Sequence, residues 1–302
     1  MAKKLGILTR NERAWCSLQL KQAAVRFGLE PFCFSFSDIG SGVAFPEKAP
    51  VEAMGTPIDS DFVAIIVRPI SGGSVEEIFF RLDLLHRIED LGILVINPPL
   101  AIEKAADKYR ALALLEDAGL PVPKTFATED PRKAVEAFDA LGGDVVLKPI
   151  FGSRGVGVAR IKDRDVLLRI CRSLKYFRHV IYLQEFVEHG TWDIRAFVLG
   201  ERVIASMRRI AGGWKTNIAQ GAIPASFNLP KQCEELAIKA AKVLGCHIAG
   251  VDILETREKK WLINEVNSQP DWRGLQSVTG FSIANAIVKY VLSLSMKGSL
   301  NV

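Results

Sequence analysis

Apolar positions recur along this chain with two different periods, and the change of period divides it. From residue 4 to 97, short apolar runs alternate with stretches of helical spacing. "KLGILT" reads as a buried strand, and "AWCSLQLKQAAVRFG" carries apolar residues at helical spacing and stops at Gly28. "PFCFSFS" and "DFVAIIVRP" read as strands, "EEIFFRLDLLHRIEDLG" as an amphipathic helix, and "ILVINP" as a short buried strand. Strand and helix in alternation predict a parallel sheet with helices on its faces. Pro98-Pro99 then punctuates the chain and reads as a linker.

A helix is expected over "DKYRALALLEDAG", followed by the extended "LPVPKTFAT". Asp130 can cap "PRKAVEAFDALG", with Pro131 at its first helical position. A further helix runs through "DVLLRICRSLKY", and "VIYLQEFV" reads as a strand. Beyond residue 190 the texture changes. "DIRAFVLG" and "RVIASMRRI" are strand-like runs separated by Gly200-Glu201, a hairpin signal. A helix near 231–244 precedes "IAGVDILE" and "KWLINEVN", which look like paired strands, and "FSIANAIVKYVLSLS" closes the chain as a helix. The second half is therefore expected to be α+β with largely antiparallel strands.

Composition narrows the class without choosing a function. The 302 residues are 49% hydrophobic and 24% charged, an ordinary globular balance, and the length suits two or three subdomains. Lys and Arg number 39 against 34 acidic residues, for a net charge of +5. A cationic nucleotide cleft accounts for that excess, whereas a nucleic-acid binder carries a denser basic stripe. No apolar run approaches the roughly 18 residues of a membrane span. The opening "MAKKLGILTRN" leaves no room for a signal-peptide core, so a soluble, cytoplasmic protein is expected. The five cysteines are odd in number and none forms a C-x-x-C pair, as for reduced core thiols. Cys246-His247 lacks the second Cys/His pair that structural zinc requires.

Three stretches carry candidate chemistry. In "DVVLKPIFGSRGVGVAR", Lys148 ends an apolar strand, where a cation is costly unless it meets an anion. Gly152, Gly155 and Gly157 follow, with Ser153 and Arg154 among them, and allow a nest of backbone N–H groups to face a phosphate. A plain hairpin turn is the alternative, but it needs neither so many turn residues nor the arginine. In "GVDILETREKKWLINEVN", Glu265 and Asn267 are two apart on one strand and Asp252 lies on the strand expected to pair with it. Two carboxylates and an amide oxygen suit Mg²⁺, with Mn²⁺ as an alternative. In "HGTWDIRAF", Asp193 and Arg195 share a strand face; an ion pair on the hairpin is one reading and a cleft role the other. Arg208 and Arg209 point to opposite faces, so one of them can line that cleft, and Lys215 and Asn217 lie in a turn within reach of a nucleotide.

In order, "ADKYRALALLEDAGLPVPKT", "LKPIFGSRGVGV", "LQEFVEHGTWDIRAFVLG", "RRIAGGWKTNIAQGA", "AGVDIL" and "NEVNSQPDWRGLQSVTG" resemble the ATP-grasp carboxylate–amine ligases, and most of all the RimK-like α-L-glutamate ligases. The resemblance implies an ATP-grasp fold, mixed α/β and α+β, preceded by a Rossmann-like parallel-sheet domain. It implies domains at 1–98, 99–183 and 184–302. Lys108 and Lys148 would hold the ATP phosphates under a lid that includes Gly152, Ser153, Arg154 and Gly155. Gln184, Glu185, Phe186 and Val187 would offer backbone groups to adenine. Asp193 would lie near the ribose, and Asn217 would contact ATP. Asp252, Glu265 and Asn267 would hold Mg²⁺. Arg195 and one of Arg208 and Arg209 would sit at the reacting phosphoryl and acyl groups.

The implied reaction forms an acylphosphate from ATP and a substrate carboxylate, which an amino acid, often L-glutamate, then captures. "NEVNSQPDWRGLQ" and "GGWKTNIAQGA" look most like the members that extend tetrahydromethanopterin-type cofactors. Trp214 and Trp272 offer either stacking surfaces for a pterin or packing. Protein-tail, amino-group-carrier and dipeptide ligases are alternative members, and an ATP-binding regulatory module is the non-enzyme alternative. A homo-oligomer, dimer or tetramer, is implied, with the apolar helix at 76–91 as a contact.

Overall fold

The computed structural model describes residues 2–45, 49–70, 72–152 and 155–298. The first unit runs β1 (Lys4–Leu8), α1 (Trp15–Arg26), β2 (Glu30–Phe34), β3 (Ile39–Ser41), β4 (Val51–Ala53), β5 (Thr56–Pro57), β6 (Phe62–Val67), α2 (Val75–Asp90) and β7 (Val95–Ile96). Its four-stranded sheet has the order β2-β1-β6-β7, and every pairing in it is parallel. This is the parallel sheet expected from the alternating pattern. Two local readings are corrected. The strand expected over "PFCFSFS" stops at Phe34, because Ser35 and Asp38 bond reciprocally to each other's backbone and close a short 3₁₀ turn instead. The small antiparallel sheet β3-β4-β5 carries no periodicity long enough to have announced it.

The rest of the chain runs α3 (Pro99–Ala106), α4 (Lys108–Asp117), β8 (Thr125–Thr128), α5 (Pro131–Ala140), β9 (Val145–Lys148), β10 (Ala159–Ile161), α6 (Arg164–Tyr176) and β11 (Ile181–Glu185). Then come β12 (Trp192–Leu199), β13 (Arg202–Ile210), β14 (Ile223–Ser226), α7 (Lys231–Leu244), β15 (Ile248–Glu255), β16 (Trp261–Asn267), α8 (Arg273–Gln276) and α9 (Ile283–Gly298). Two antiparallel sheets result, β10-β9-β11-β8 and β14-β13-β12-β15-β16. The β12–β13 hairpin turns at Gly200, whose φ is +61°. Pro98-Pro99 is not a linker. Pro99 opens α3, where its missing N–H is no loss.

Hydrophobic packing joins segments that are distant in the chain. Ala101 of α3 and Leu112 and Leu115 of α4 share a core with α7 and the five-stranded sheet, not with the smaller sheet that follows them. Residues 184 and 185 belong to β11 and so to the smaller sheet. The last helix returns to the first unit: Ile283, Ile287, Val288 and Val291 of α9 are buried with Leu20, Ala23 and Ala24 of α1 and with Ile66 of β6. Each such aliphatic side chain contributes about 1.5–3 kcal/mol. No helix among the described residues is long and apolar enough to cross a membrane.

The buried Asn97 side chain helps tie the first sheet to the second half. Asn97 follows β7; its Nδ2 donates to the carbonyls of Ile248, at 2.7 Å, and Ser268, while its Oδ1 accepts from Ile248 N at 2.8 Å. Replacing Asn97 with Ala leaves those backbone groups without partners, so urea denaturation should report a loss of about 2–4 kcal/mol.

Candidate active site

Strand alternation delivers the site. Val145 and Leu147 of β9 enter the α5–α6 core, so Val146 and Lys148 face away from it. Ile194, Ala196 and Val198 of β12 pack toward α7, which leaves Asp193 and Arg195 on the other face. On β15, Val251 and Ile253 face that core and Asp252 faces out. On β16, Ile263 and Val266 both reach the core although they are three apart. A register shift makes this possible: Asp252 pairs with Glu265 and Ile253 with Ile263, so Asn264 is the extra residue of a bulge.

The polar faces of the two antiparallel sheets meet across a cleft. Of the residues expected from the sequence, Lys108, Lys148, Gly152, Gly155, Gln184, Glu185 and Phe186 line it. So do Val187, Asp193, Arg209, Lys215, Asn217, Asp252 and Glu265. Ser153 and Arg154 lie outside the described residues. Arg195, Arg208 and Asn267 are not in the cleft lining. Arg195 holds Asp252 from one side, its Nη2 donating at 3.0 Å. Arg208 is on the opposite sheet face, stacked 4.0 Å from the Trp192 ring and 4.1 Å from the Phe227 ring. The expected choice between the two neighbouring arginines therefore falls to Arg209. Asn267 stands across from Gly250 at the end of β16, two residues beyond Glu265.

Sequence reasoning missed several cleft residues, among them Thr216, Asn264 and His189. Asn264 accepts from Lys148 Nζ at 3.1 Å and reaches the cleft through the bulge, which a strict period of two does not foresee. His189 is buried, with Nδ1 2.9 Å from the Trp192 carbonyl; that contact makes Nδ1 the protonated nitrogen of the neutral ring. Trp272 is a packing residue, 1% exposed, with Trp15 and Phe197 set edge-on at 6.4 and 6.3 Å. Trp214 stays in the cleft, edge-on to Phe186 at 5.7 Å.

Charge in the cleft is tightly paired. Arg209 donates to both oxygens of Asp193, at 2.7 and 2.5 Å, and reaches Asp252 at 3.0 Å. Thr216 adds a hydrogen bond to Asp193 at 2.6 Å, so that carboxylate is committed to its neighbours. Burial pulls the Arg209 pKa down, but Asp252 and Asp193 outweigh it and hold the guanidinium firmly charged. Lys148 is the opposite case. Burial lowers its pKa most, Glu265 and Asp252 offset part of this, Lys108 adds repulsion, and the result is about 8. Lys148 Nζ also donates to Gln184 Oε1 at 2.5 Å. Lys108 Nζ donates to the Gly152 carbonyl at 2.7 Å and lies 3.7 Å from Glu265. Gly155 packs so closely that a Cβ there would stand 2.4 Å from Asn217 Oδ1.

A divalent cation fits the residues present. Asp252 and Glu265 are cross-strand neighbours, and Asn267 shares the strand of Glu265. Asp252 Oδ1 is buried without a directed hydrogen bond, although Arg195 Nε lies against it. Among the described residues no three His, Cys, Asp or Glu side chains gather as ligands. Two carboxylates and an amide supply only part of a coordination shell, which is how Mg²⁺ is held when phosphate oxygens and water complete it.

Two facing antiparallel sheets, a lysine on each side of the cleft and an acidic pair on the floor define a phosphate-handling nucleotide site of ATP-grasp type. The chain belongs to the RimK-like ATP-grasp family, whose domain model matches residues 105–291. It is an ATP-dependent ligase. A tetrahydromethanopterin:α-L-glutamate ligase of Methanosarcina acetivorans is 33% identical, over 97% of this chain and 99% of its own length. A probable α-L-glutamate ligase of Pseudomonas aeruginosa is 32% identical, with 95% of each covered. The ATP-grasp ligase PsnB, solved with a minimal precursor, Mg and ADP, shares the fold at a TM-score of 0.74 with 19% identity, covering 97% of this chain and 98% of its own.

Two outcomes follow from the electrostatics. Lys148 is charged below pH 8 and neutral above it, so ATP affinity measured without divalent cation should weaken by up to about tenfold from pH 8 to 9. Calorimetric titration of Lys148→Met over the same range should show no such step. Arg209→Gln should cut ADP release by about a hundredfold or more, as loss of a transition-state donor does. Arg208→Gln should stay within about threefold of wild type in the same assay, since that residue contacts only rings away from the cleft.

Proposed function

We propose that the protein uses ATP to join the amine of L-glutamate to the carboxylate of a tetrahydromethanopterin-type acceptor, releasing ADP and phosphate. The observation that carries this reading is the cleft itself: Lys108, Lys148 and Arg209 face Asp252 and Glu265. The names of the relatives from Methanosarcina and Pseudomonas support glutamate as the amine, and the former supports the acceptor.

A carboxylate oxygen of the acceptor attacks the γ-phosphorus, the bond to the β–γ bridging oxygen breaks, and ADP leaves. The acylphosphate then meets the neutral amine of glutamate at its carbonyl carbon. The C–O bond to phosphate breaks, an amide forms, and the amine gives up a proton. No side-chain nucleophile enters this sequence. Catalysis is positioning together with cationic groups set where charge develops.

Lys108 and Lys148 bind the phosphates, and Arg209, braced by Asp193, faces the transferring phosphoryl. Gly152 and Gly155 line the same cleft, where covering the site would exclude water that hydrolyses the acylphosphate. Backbone groups of residues 184–187 take the adenine edge. This fits the way residues 184–187 line the cleft as the chain leaves β11. Arg195 steadies Asp252 behind the reacting centre. Asp252, Glu265 and Asn267 would hold Mg²⁺, or Mn²⁺, which supplies charge neutralisation on the phosphates when bound. The enzyme is read as cytoplasmic and as a dimer or tetramer; exposed Val75, Phe79 and Phe80 on α2 support a contact there.

The test is ADP release with Mg-ATP, L-glutamate and a panel of acceptors: a tetrahydromethanopterin, a folate, a deazaflavin tail and acidic peptides, each product weighed by mass spectrometry. A gain of glutamyl units on the pterin alone is the expected result. Glutamyl transfer to a peptide or deazaflavin would reassign the acceptor. ADP release needing no glutamate would sink the reading.

A further inference from the structure

Arg68 is a buried cation that the reaction just described does not use. It directly follows β6, at the carboxyl end of the parallel sheet, which is where open α/β sheets receive ligands. Only 8% of it is exposed. Its guanidinium lies 4.7 Å from the Trp272 ring centre, and Nη1 donates to the Pro270 carbonyl at 3.1 Å. A ring face and one neutral carbonyl are poor company for five N–H donors and a full charge. Burial lowers its pKa, and Cys16 and Asp271 offset that only in part, from longer range.

Two neighbouring donors share the deficit. Gln269 accepts from Ile70 N through Oε1 at 3.2 Å, which sets its side chain beside Arg68, while its Nε2 is buried without a partner. Trp272 Nε1 is buried without a partner as well. Donors without acceptors complement a carboxylate, which when ionised only accepts. The position also suits a substrate group. Pro270 and Arg195 both lie over Gly250: a Cβ on Gly250 would stand 2.9 Å from Pro270 Cβ and 2.5 Å from Arg195 Nη1. The carbonyl partner of Arg68 is thus one residue's width from the guanidinium that holds Asp252.

We propose that Arg68, with Gln269, binds a carboxylate of the amino-acid substrate that does not react, and so makes the enzyme choose an acidic amino acid. The inference rests on L-glutamate being the amine. The carboxylate that becomes the acylphosphate must meet the phosphoryl near Arg209. Glutamate brings two more carboxylates and neither is activated, so each needs a cation elsewhere. The planar fork of an arginine grips a carboxylate through two parallel bonds, and a carboxamide in its place leaves a buried charge unanswered.

Steady-state kinetics on Arg68→Lys and Arg68→Gln, with L-glutamate, L-glutamine and isoglutamine as amines, tests this. Wild type should discriminate against at least one of the two amides by about a hundredfold or more. Arg68→Gln should raise the KM for glutamate about tenfold or more, leave the KM for ATP within about twofold, and erase most of that discrimination. Arg68→Lys, which keeps the charge without the fork, should fall between. Thermal midpoint and ADP affinity show that each variant is folded. A folded variant with an unaltered KM for glutamate and an unaltered preference overturns the proposal, and a lowered midpoint with that same preference assigns Arg68 to packing and overturns it too. If wild type turns over a different carboxylate-bearing amine, the functional reading fails while the same comparison, made with that amine and its carboxamide, still decides the subsite. An amine without a second charged group overturns both.

Discussion

Arg209 held between Asp193 and Asp252 is the contact on which the site depends. All three side chains are nearly inaccessible, and they come from three adjacent strands, β13, β12 and β15. Breaking a buried pair by removing one partner costs about 3–5 kcal/mol, because the other charge is left in a poor solvent. The network therefore holds the floor of the cleft in one arrangement. It also divides the acidic groups: Asp193 is consumed by Arg209 and Thr216, Asp252 is shared between Arg209 and Arg195, and among the described residues Glu265 meets only Lys108, at 3.7 Å.

Each antiparallel sheet is two-faced, and that makes the cleft. Helices α5 and α6 cover one face of the smaller sheet, and α4 and α7 cover one face of the larger. Period-two alternation sends Lys148 of the smaller sheet and Asp193, Arg209 and Asp252 of the larger to the cleft, while Phe197 and Met207 on that same face of the larger sheet pack with α9 and Trp272. Lysines and carboxylates face one another across the cleft, as Lys108 and Glu265 do at 3.7 Å, so it suits a ligand of mixed charge such as a nucleotide triphosphate with its cation. The parallel sheet is fastened to this assembly at three points: α9 returning across α1, Asn97 clamping the ends of β15 and β16, and Arg68 on the turn after β16.

The two cleft lysines show how local surroundings divide one residue type into two roles. Lys148 sits on a strand inside the sheet pair, short of solvent, so its charge is conditional and an arriving phosphate stabilises it. Lys108 opens α4 and reaches the lid carbonyls and Glu265 from outside.

Periodicity alone determined a great deal here. The alternation before residue 97 determined the parallel sheet, because strands linked through helices pair side by side, and the pairing of "IAGVDILE" with "KWLINEVN" determined that Asp252 and Glu265 would be neighbours, because those two strands are close in sequence. The spacing of lysines, glycines and acidic residues made the nucleotide site legible in advance. What the pattern left open is long-range or breaks the period. The choice of Arg209 over Arg208 depends on which sheet face is covered by helices. Asn264 enters through a bulge, and the bulge exists because Ile263 and Val266 must both reach one core. The fastening of α3 and α4 to the larger sheet, the burial of Trp272 and the donor cluster around Arg68 arise only when segments about two hundred residues apart are brought together. Packing decides those, and no local signal in the chain encodes it.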